Sequence, residues 1–312
     1  MVTIVRPKQT FYRRTASKNV VQWTIWLEED QGIYTIKTSH GQKGGKIIED
    51  AGVIIVTGKA SRTPEEQAVL EFDSKISKHR DQGYTFNTDG ININLAPVPM
   101  LAQNYEKHGH KIIFPAIAQP KLDGVRCTAK MESDGSVSLL SRKGKEFQLL
   151  DQIRKAVIAT GVPETFILDG ELYSDQMDFQ RVVGLVRKKT YKNQADIDDM
   201  AKVKLNIFDA MDMNNPDMTF IQRWKKAKQY VDRDATGTLT MVPCYRVDND
   251  TQVKVLLAKF LADGDEGVMV RNIKSPYEQG KRSYNLQKYK VFHDSEYKIV
   301  DALEGQGNDI GT

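Results

Sequence analysis

Residues 119–127 read QPKLDGVRC. A lysine, a carboxylate, a glycine and an arginine fall within six positions of one another, between apolar residues. The order predicts that Lys121 leaves a strand, that Asp123 and Gly124 turn the chain, and that Arg126 returns toward the same place. Lysine attacks as a nucleophile only when neutral, and a free lysine is almost fully protonated at pH 7. Nearby cations, burial or a metal ion must therefore favour its neutral form. Read alone, a lysine before a turn is ordinarily solvated, so the rest of the chain decides.

Five further stretches bear on it. SRKGKEF, at 141–147, sets Arg142 beside Gly144, where the backbone can approach a ligand closely. LDGELY, at 168–173, follows an apolar strand, and Asp169 and Glu171, two apart, share a face in regular strand. Two carboxylates so placed repel unless a cation or a hydroxyl lies between them. IFDAMDM, at 207–213, puts Phe208 in an apolar strand, where an aromatic ring is ordinarily core. EGVMVRN, at 266–272, has Glu266 at a strand entrance, a position that suits Mg²⁺, which keeps several waters and takes one or two carboxylates. NLQKYKV, at 285–291, sets Lys288 and Lys290 on one side of a strand, a wet face unless an anion lies between them. Each stretch has an ordinary reading by itself; the ordered set does not.

The chain has 312 residues, enough for two ordinary domains or one large one. A hydrophobic fraction of 40% supports a real core and argues against disorder of the whole chain. No apolar run reaches the roughly 18 residues of a membrane-spanning helix, so no membrane association is expected. The basic N-terminus MVTIVRPKQTFYRR lacks the apolar centre of a secretory signal. Cys127 and Cys244, far apart, make neither a disulfide framework nor a zinc site; a reducing intracellular setting fits, cytoplasm, nucleus or a virus-infected host cell. The net charge of +4 favours a polyanion partner only modestly.

Along the chain, residues 20–38 alternate around EEDQG as a hairpin, and GVIIVTG is a second strand signal. TPEEQAVLEFDSKISKHRDQG follows as a helix, with Thr63 as N-cap, Pro64 at its first position, Ala68, Leu70, Phe72 and Ile76 at helical spacing, and Gly83 closing it. Residues 85–96 read as a linker. Beyond about 117, strands and helices mix without a βαβ rhythm: helices near 149–160, 176–188, 221–233 and 250–263, and strands at TFILDGELY, LNIFDAMDM, TLTMVPCYRV, EGVMVRN and YNLQKYKV. That mixture is α+β, built on antiparallel sheets flanked by helices.

The ordered set resembles the covalent nucleotidyltransferase superfamily of ATP-dependent DNA ligases, RNA ligases and mRNA capping enzymes. KLDGVR resembles its motif I, K-x-D-G-x-R; SRKGKEF the S-R-x-G element; LDGELY motif III; IFDAM the segment after it; EGVMVR motif IV; and LQKYK motif V. PVPMLA, from residue 97, resembles the lead-in of many DNA ligases. EGVMVR and SRKGKEF are nearest the ATP-dependent DNA ligases; an RNA ligase or a capping guanylyltransferase is the alternative.

The resemblance implies an ATP-grasp-like adenylation domain, with ATP as cosubstrate, Mg²⁺ or Mn²⁺ as metal, nicked duplex DNA as partner, and a monomeric enzyme. It implies that Lys121 attacks the α-phosphate and holds AMP. Gln119 and the Pro120 carbonyl meet adenine, although many relatives carry glutamate at the first position. Arg126 and Arg142 bind ribose and later the nick 5′-phosphate; Glu171 binds ribose or metal; Phe208 stacks on adenine; Glu266 holds metal; Lys288 and Lys290 contact the α-phosphate and favour neutral Lys121 by like-charge repulsion.

The N-terminal region resembles the WGR domain, a small sheet with one helix, in which the name-giving Trp-Gly-Arg is here His40-Gly41-Gln42; Lys43, Lys46 and Lys59 stand in electrostatically for nucleic-acid contact. The expected organisation is a tail at 1–17, the WGR-like domain at 18–84, the linker at 85–96, the nucleotidyltransferase domain at 97–294, and at 295–312 the first strand of a truncated OB-fold domain. With that domain cut short, the expectation is weak self-adenylation and very poor nick sealing.

Overall fold

The computed structural model describes residues 2–15, 19–86 and 98–290. The chain divides into compact units, one spanning residues 1–95 and a second spanning 96–294. The segment read as the start of an OB-fold, 295–312, and residues 87–96 of the linker lie outside the described residues.

In the N-terminal unit, β1 (Thr3–Arg14), β2 (Val20–Asp30), β3 (Ile33–Gln42), β4 (Ile47–Glu49) and β5 (Val53–Ile55) form one antiparallel sheet in the order β1-β2-β3-β4, with β5 also on β3. Gln31 and Gly32, both at positive φ, close the β2–β3 hairpin, as a tight two-residue hairpin turn requires. Helix α1 (Pro64–Arg80) begins with Thr63 and Glu66 in a capping box and Pro64 in its first turn. It buries Ala68, Phe72 and Ile76 against Phe11, Trp23, Ile25, Leu27, Ile36 and Ile55. Leu70, expected on that face, is 50% exposed instead.

The expected tail at 1–17 is corrected: most of it is β1, paired with β2, and its Phe11 is fully buried. Cations and Pro7 mask its alternation, and register shifts between Ile4 and Gln9 accommodate the proline on this edge strand. The start of the expected linker also belongs to this unit, since Thr85 bridges to Tyr12 and Phe86 packs its ring on Phe11.

The second unit holds two five-stranded sheets. Its elements in order are β6 (Leu101–Asn104), α2 (Tyr105–His108), β7 (Ala116–Lys121), β8 (Val125–Met131), β9 (Val137–Ser141), α3 (Asp151–Thr160), β10 (Phe166–Tyr173), α4 (Phe179–Val186), α5 (Gln194–Met200), β11 (Lys204–Asp212), α6 (Phe220–Val231), β12 (Leu239–Met241), β13 (Tyr245–Val247), α7 (Asp250–Ala262), β14 (Gly267–Asn272) and β15 (Arg282–Tyr289). One sheet runs β12-β11-β10-β8-β9 and the other β13-β7-β14-β15-β6. Pairing is antiparallel except at two edges, where β11–β12 and β15–β6 are parallel. The larger core lies under the first sheet, where α3, α4 and α6 bury Ile153, Val157, Leu185 and Ala227 against Leu139, Leu168 and Leu205. The second sheet packs α7 through Val253, Leu257 and Phe260 on Ala118, Val268 and Val270.

TLTMVPCYRV, read as one strand, is two, β12 in one sheet and β13 in the other. Pro243 lies between them, and a proline cannot donate to a ladder. The chain makes the same change of sheet at QPKLDGVRC: β7 ends at Lys121 in one sheet and β8 starts at Val125 in the other. Lys121 therefore stands where the two sheets meet. A Cβ on Gly124 would come 2.4 Å from the Leu172 carbonyl oxygen, so only glycine lets this crossing lie so close to β10.

Candidate active site

The crossing point opens onto a cavity of about 260 Å³ between the two sheets. Gln119, Pro120, Lys121, Arg126, Arg142, Glu171, Phe208 and Lys288, all singled out from sequence, line it. Glu266 and Lys290 are joined to it through Lys121. Glu266 precedes β14, and its backbone N–H donates to the Lys121 carbonyl at 2.9 Å, which fixes the two residues side by side. One Glu266 carboxylate oxygen accepts from the Lys121 ammonium, and the other accepts from Lys290 at 2.7 Å. Burial works to raise the Glu266 pKa, but the hydrogen bonds from Lys121 and Lys290 outweigh it and hold it below the usual value. Lys288 is held below its usual value by burial and by the charges of Lys290 and Lys121.

Arg126 is clamped rather than free. Its Nε and Nη2 each donate to Asp169 at 2.6 Å, and Nη2 also reaches the Met100 carbonyl at 3.2 Å. Asp169 is fully buried on β10 and accepts a further hydrogen bond from the Tyr277 hydroxyl at 2.6 Å. That hydroxyl in turn accepts from the Met100 N–H at 3.0 Å. The guanidinium of Arg126 lies 4.7 Å over the Phe208 ring, a cation–π contact that sets the ring's angle in the cavity. Burial raises Glu171 to about 7, against the opposing charges of Arg126 and Lys121, and repulsion from Asp169 and Glu266 adds to the rise.

Gln119 is 1% exposed, with its amide engaged inside the protein. Its oxygen accepts from Arg271 Nε at 3.1 Å, and its nitrogen donates to the Phe208 carbonyl at 3.2 Å. Arg271 continues inward to Asp209, which also takes two bonds from Arg223 of α6. Two arginines on one fully buried aspartate tie β14, β11 and α6 together behind the cavity. Breaking such a buried set by removing one member costs about 3–5 kcal/mol.

Sequence reading missed Arg271, Arg282, Asp209, Arg223 and Tyr277. Arg271 and Arg282 line the cavity, and Arg282 donates to the Ala102 carbonyl at 2.6 Å. Their signal lay inside the quoted stretches or just beyond them. An arginine in VMVRN reads as a strand end until its partner, 62 positions away, is known.

Lys43 and Lys46 fall at one end of β3, and Lys59 follows the strand that pairs with its other end. Lys43 follows the end of β3, with its N–H on the Val20 carbonyl, and Lys46 precedes β4 there. Lys59 follows β5, which passes Tyr34 at the other end of β3. The eight residue steps from Tyr34 to Gln42 separate the two ends by roughly 25 Å.

Among the described residues, no group of three or more His, Cys, Asp or Glu side chains could hold a metal ion, and no helix is long and apolar enough to cross a membrane. Glu171 and Glu266 are hard oxygen donors that repel each other, with Glu171 disfavoured as an anion by burial. That is an environment a divalent cation relieves, and Mg²⁺ needs only one or two carboxylates, so the donor set fits.

Six cations line the cavity or its rim (Lys121, Arg126, Arg142, Arg271, Arg282 and Lys288), and one carboxylate, Glu171, lines it with them. With one aromatic face and one lysine at the sheet crossing, this lining has the charge and shape that a polyphosphate carrying an aromatic base would need. Known proteins agree in kind. Residues 99–290 match the family described as the ATP dependent DNA ligase domain, and the chain belongs to that family. A DNA ligase of African swine fever virus (isolate Tick/South Africa/Pretoriuskop Pr4/1996) is 29% identical over 264 residues, covering 81% of this chain and 60% of its own length. This chain thus spans about 60% of the length of that relative. A solved Lig E DNA ligase shares the fold with a TM-score of 0.53 and 24% identity, over 70% of this chain and 77% of its own. The ATP-dependent DNA ligase of bacteriophage T7, solved with ATP, has a TM-score of 0.52 and 19% identity, over 64% of this chain and 70% of its own.

Proposed function

We propose that the chain is the catalytic core of an ATP-dependent DNA ligase that joins 5′-phosphate and 3′-hydroxyl ends at nicks in duplex DNA. The observation that carries this reading is the convergence in one cavity of Lys121, Arg126, Arg142, Glu171, Phe208 and Lys288, with Glu266 bonded to Lys121. The reaction starts with neutral Lys121 attacking the ATP α-phosphorus. A P–N bond forms, the bond to the β-phosphate oxygen breaks, pyrophosphate leaves, and the nitrogen gives up a proton. A nick 5′-phosphate oxygen then attacks the AMP phosphorus, the P–N bond breaks, the Lys121 nitrogen leaves and regains a proton, and AMP is joined to the nick 5′-phosphate. The 3′-hydroxyl attacks the phosphorus of that 5′-phosphate, loses its proton, and releases AMP.

The residues divide the work. Phe208, angled by Arg126, stacks on adenine, and Gln119, braced by Arg271, supports the Phe208 backbone behind it. Pro120 presents its carbonyl at the base edge. Arg126 and Arg142 offset charge on the sugar side and then on the nick phosphate. Lys288 and Lys290 face the α-phosphate, where cations in a site shielded from water are worth most. Lys290 takes over Glu266 when Lys121 gives up its ammonium. Glu171 and Glu266 would hold Mg²⁺ or Mn²⁺, which screens phosphate charge when bound.

The N-terminal sheet with its one helix reads as WGR-like, with Lys43 and Lys46 as phosphate contacts and Lys59 apart from them. A role in repair or replication and a monomeric state belong to the same reading.

Incubation with α-labelled ATP and Mg²⁺, followed by denaturing electrophoresis, tests the function. The expected result is a labelled protein band, absent in Lys121→Ala and discharged by nicked DNA. Labelling from GTP in its place overturns this reading in favour of a capping guanylyltransferase.

A further inference from the structure

Strand β11 breaks step once, and the break falls at Phe208. Asp169 stands opposite Asp209, whereas Gly170 stands opposite Ile207, so Phe208 is an extra residue with no opposite number on β10. Such a bulge shifts the side-chain alternation by one residue. Leu205, Ile207 and Ala210 all reach the core under the first sheet, a spacing of three across the break instead of two. Phe208 and Asp209 are thereby left together on the side of the second sheet, Phe208 in the cavity and Asp209 on Arg271 of β14. Gly170 lets the strands close here, because a Cβ on it would come 2.6 Å from the Asn206 carbonyl oxygen.

A bulge disrupts the ladder around its extra residue, and here Gln119 meets the exposed carbonyl. Pairing with β12 stops at Ile207, and the Phe208 carbonyl accepts from Gln119 Nε2 at 3.2 Å. That nitrogen also lies 3.5 Å from Cys244 Sγ, so it is engaged on both sides. The amide oxygen accepts from Arg271 Nε at 3.1 Å. The partners fix this orientation, since a guanidinium only donates and a carbonyl only accepts. Arg271 is itself anchored on Asp209 at 2.6 Å and lies 5.5 Å from the Phe208 ring centroid. The result is a closed circuit from the Phe208 carbonyl through Gln119, Arg271 and Asp209, and back to Phe208 along the chain. A glutamate at 119 could keep Arg271 but not the carbonyl, because an ionised carboxylate has no donor.

We propose that Gln119 is a positioning residue for Phe208: its amide latches the bulge, and the latch sets the ring on which the base stacks. The inference rests on the ligase reading for the identity of that base. Gln119 then acts on ATP through Phe208, and the edge of the base is left to the Pro120 carbonyl. Stacking is the same before and during attack by Lys121, so loosening the latch weakens ATP binding and leaves the maximal rate alone.

The test measures the rate of Lys121 labelling against ATP concentration in the full chain, native and as Gln119→Glu, Phe208→Ala and the double variant. Far-UV circular dichroism checks that each is folded at the assay temperature. Gln119→Glu is expected to raise the half-saturating ATP concentration about fivefold to tenfold, the loss of one hydrogen bond to a buried carbonyl, with the maximal rate unchanged. Phe208→Ala is expected to raise it about 10–100-fold, the worth of one base stacked on an aromatic ring. In the Phe208→Ala background, Gln119→Glu is expected to add nothing further. Purine riboside triphosphate, which lacks the 6-amino group, is expected to lose the same factor as ATP in Gln119→Glu. Gln119→Met, which also lacks a donor, takes the place of Gln119→Glu in the cycle if the latter does not fold. Native use of ATP by Gln119→Glu overturns the proposal, and so do additive effects in the double variant. A loss seen with ATP but not with purine riboside triphosphate overturns it too, by making Gln119 a reader of the base edge. No labelling of the native chain sinks the ligase reading and the latch with it, whereas native labelling with additive effects sinks the latch alone.

Discussion

Tyr277→Phe removes one oxygen atom from the centre of the second unit. The hydroxyl donates to the buried Asp169 carboxylate at 2.6 Å and accepts from the Met100 N–H at 3.0 Å. A hydrogen bond to a charged group contributes about 1.5–3 kcal/mol, and an orphaned buried N–H costs about 1–3 kcal/mol. The low half of both ranges sums to about 3 kcal/mol. Asp169 keeps both bonds from Arg126, so the ion pair survives and the loss stops short of the cost of stranding a charge. For a unit of this size, a loss of 3 kcal/mol lowers the melting temperature by about 6–12 °C. Urea denaturation followed by far-UV circular dichroism measures the first quantity and thermal melting the second. Function should fall with it, because Met100 leads into β6 and Arg126 angles Phe208. Slower labelling of Lys121 by ATP is therefore expected at temperatures where the variant is fully folded. Tyr284→Phe is the control, since Tyr284 is 47% exposed and packs through its ring. A loss below about 1 kcal/mol in Tyr277→Phe, or an equal loss in the control, refutes the reasoning.

Three further outcomes follow from the geometry. Burial raises Glu171 to about 7, above its unfolded value of about 4.3. The resulting native-state advantage is complete below pH 4 and is lost as pH rises through 7, by about 4 kcal/mol at most. Glu171→Gln should accordingly match the native chain at pH 4 and exceed its stability at pH 8; a difference that does not change with pH contradicts this. His79, stacked at 3.5 Å on Trp23, is lowered chiefly by burial, against its bond to the Lys75 carbonyl. Its contribution is present above the unfolded value of about 6.5 and is lost as pH falls below it. Trp fluorescence melts should show the N-terminal unit weakening from pH 7 to 5, and His79→Phe should flatten that trend. Gly124→Ala forces a methyl group against the Leu172 carbonyl. It should cost about 1–3 kcal/mol by overpacking, and it should slow Lys121 labelling because the sheet crossing shifts; native labelling would count against the crossing as the support of Lys121.

Most of the site was readable because its residues cluster in short stretches whose order carries information. Lys121, Glu171 and Glu266 each stand beside a glycine or a strand boundary that limits what the residue can do. Helix α1 was readable to within a few residues for a similar reason, since Thr63, Pro64 and Glu66 act on their own backbone. Strand β1 was not readable, because its evidence is a partner across the sheet rather than a pattern along the chain. The expected face of α1 failed at Leu70 for a related reason: periodicity names a stripe, but the sheet beneath decides how wide it is.

The sequence by itself determined which lysine and which cations were singled out, through the order of six short stretches, and the α+β character, through local alternation and helical spacing. Tertiary structure alone decided what those groups touch. It put Lys121 and Lys290 on the same Glu266, clamped Arg126 on Asp169 under Tyr277, and spent Gln119 on Arg271. It split TLTMVPCYRV between two sheets and parted Lys59 from Lys43. Each of these depends on which distant residue shares a buried volume, and a charge in a buried volume must find its partner there or pay several kcal/mol.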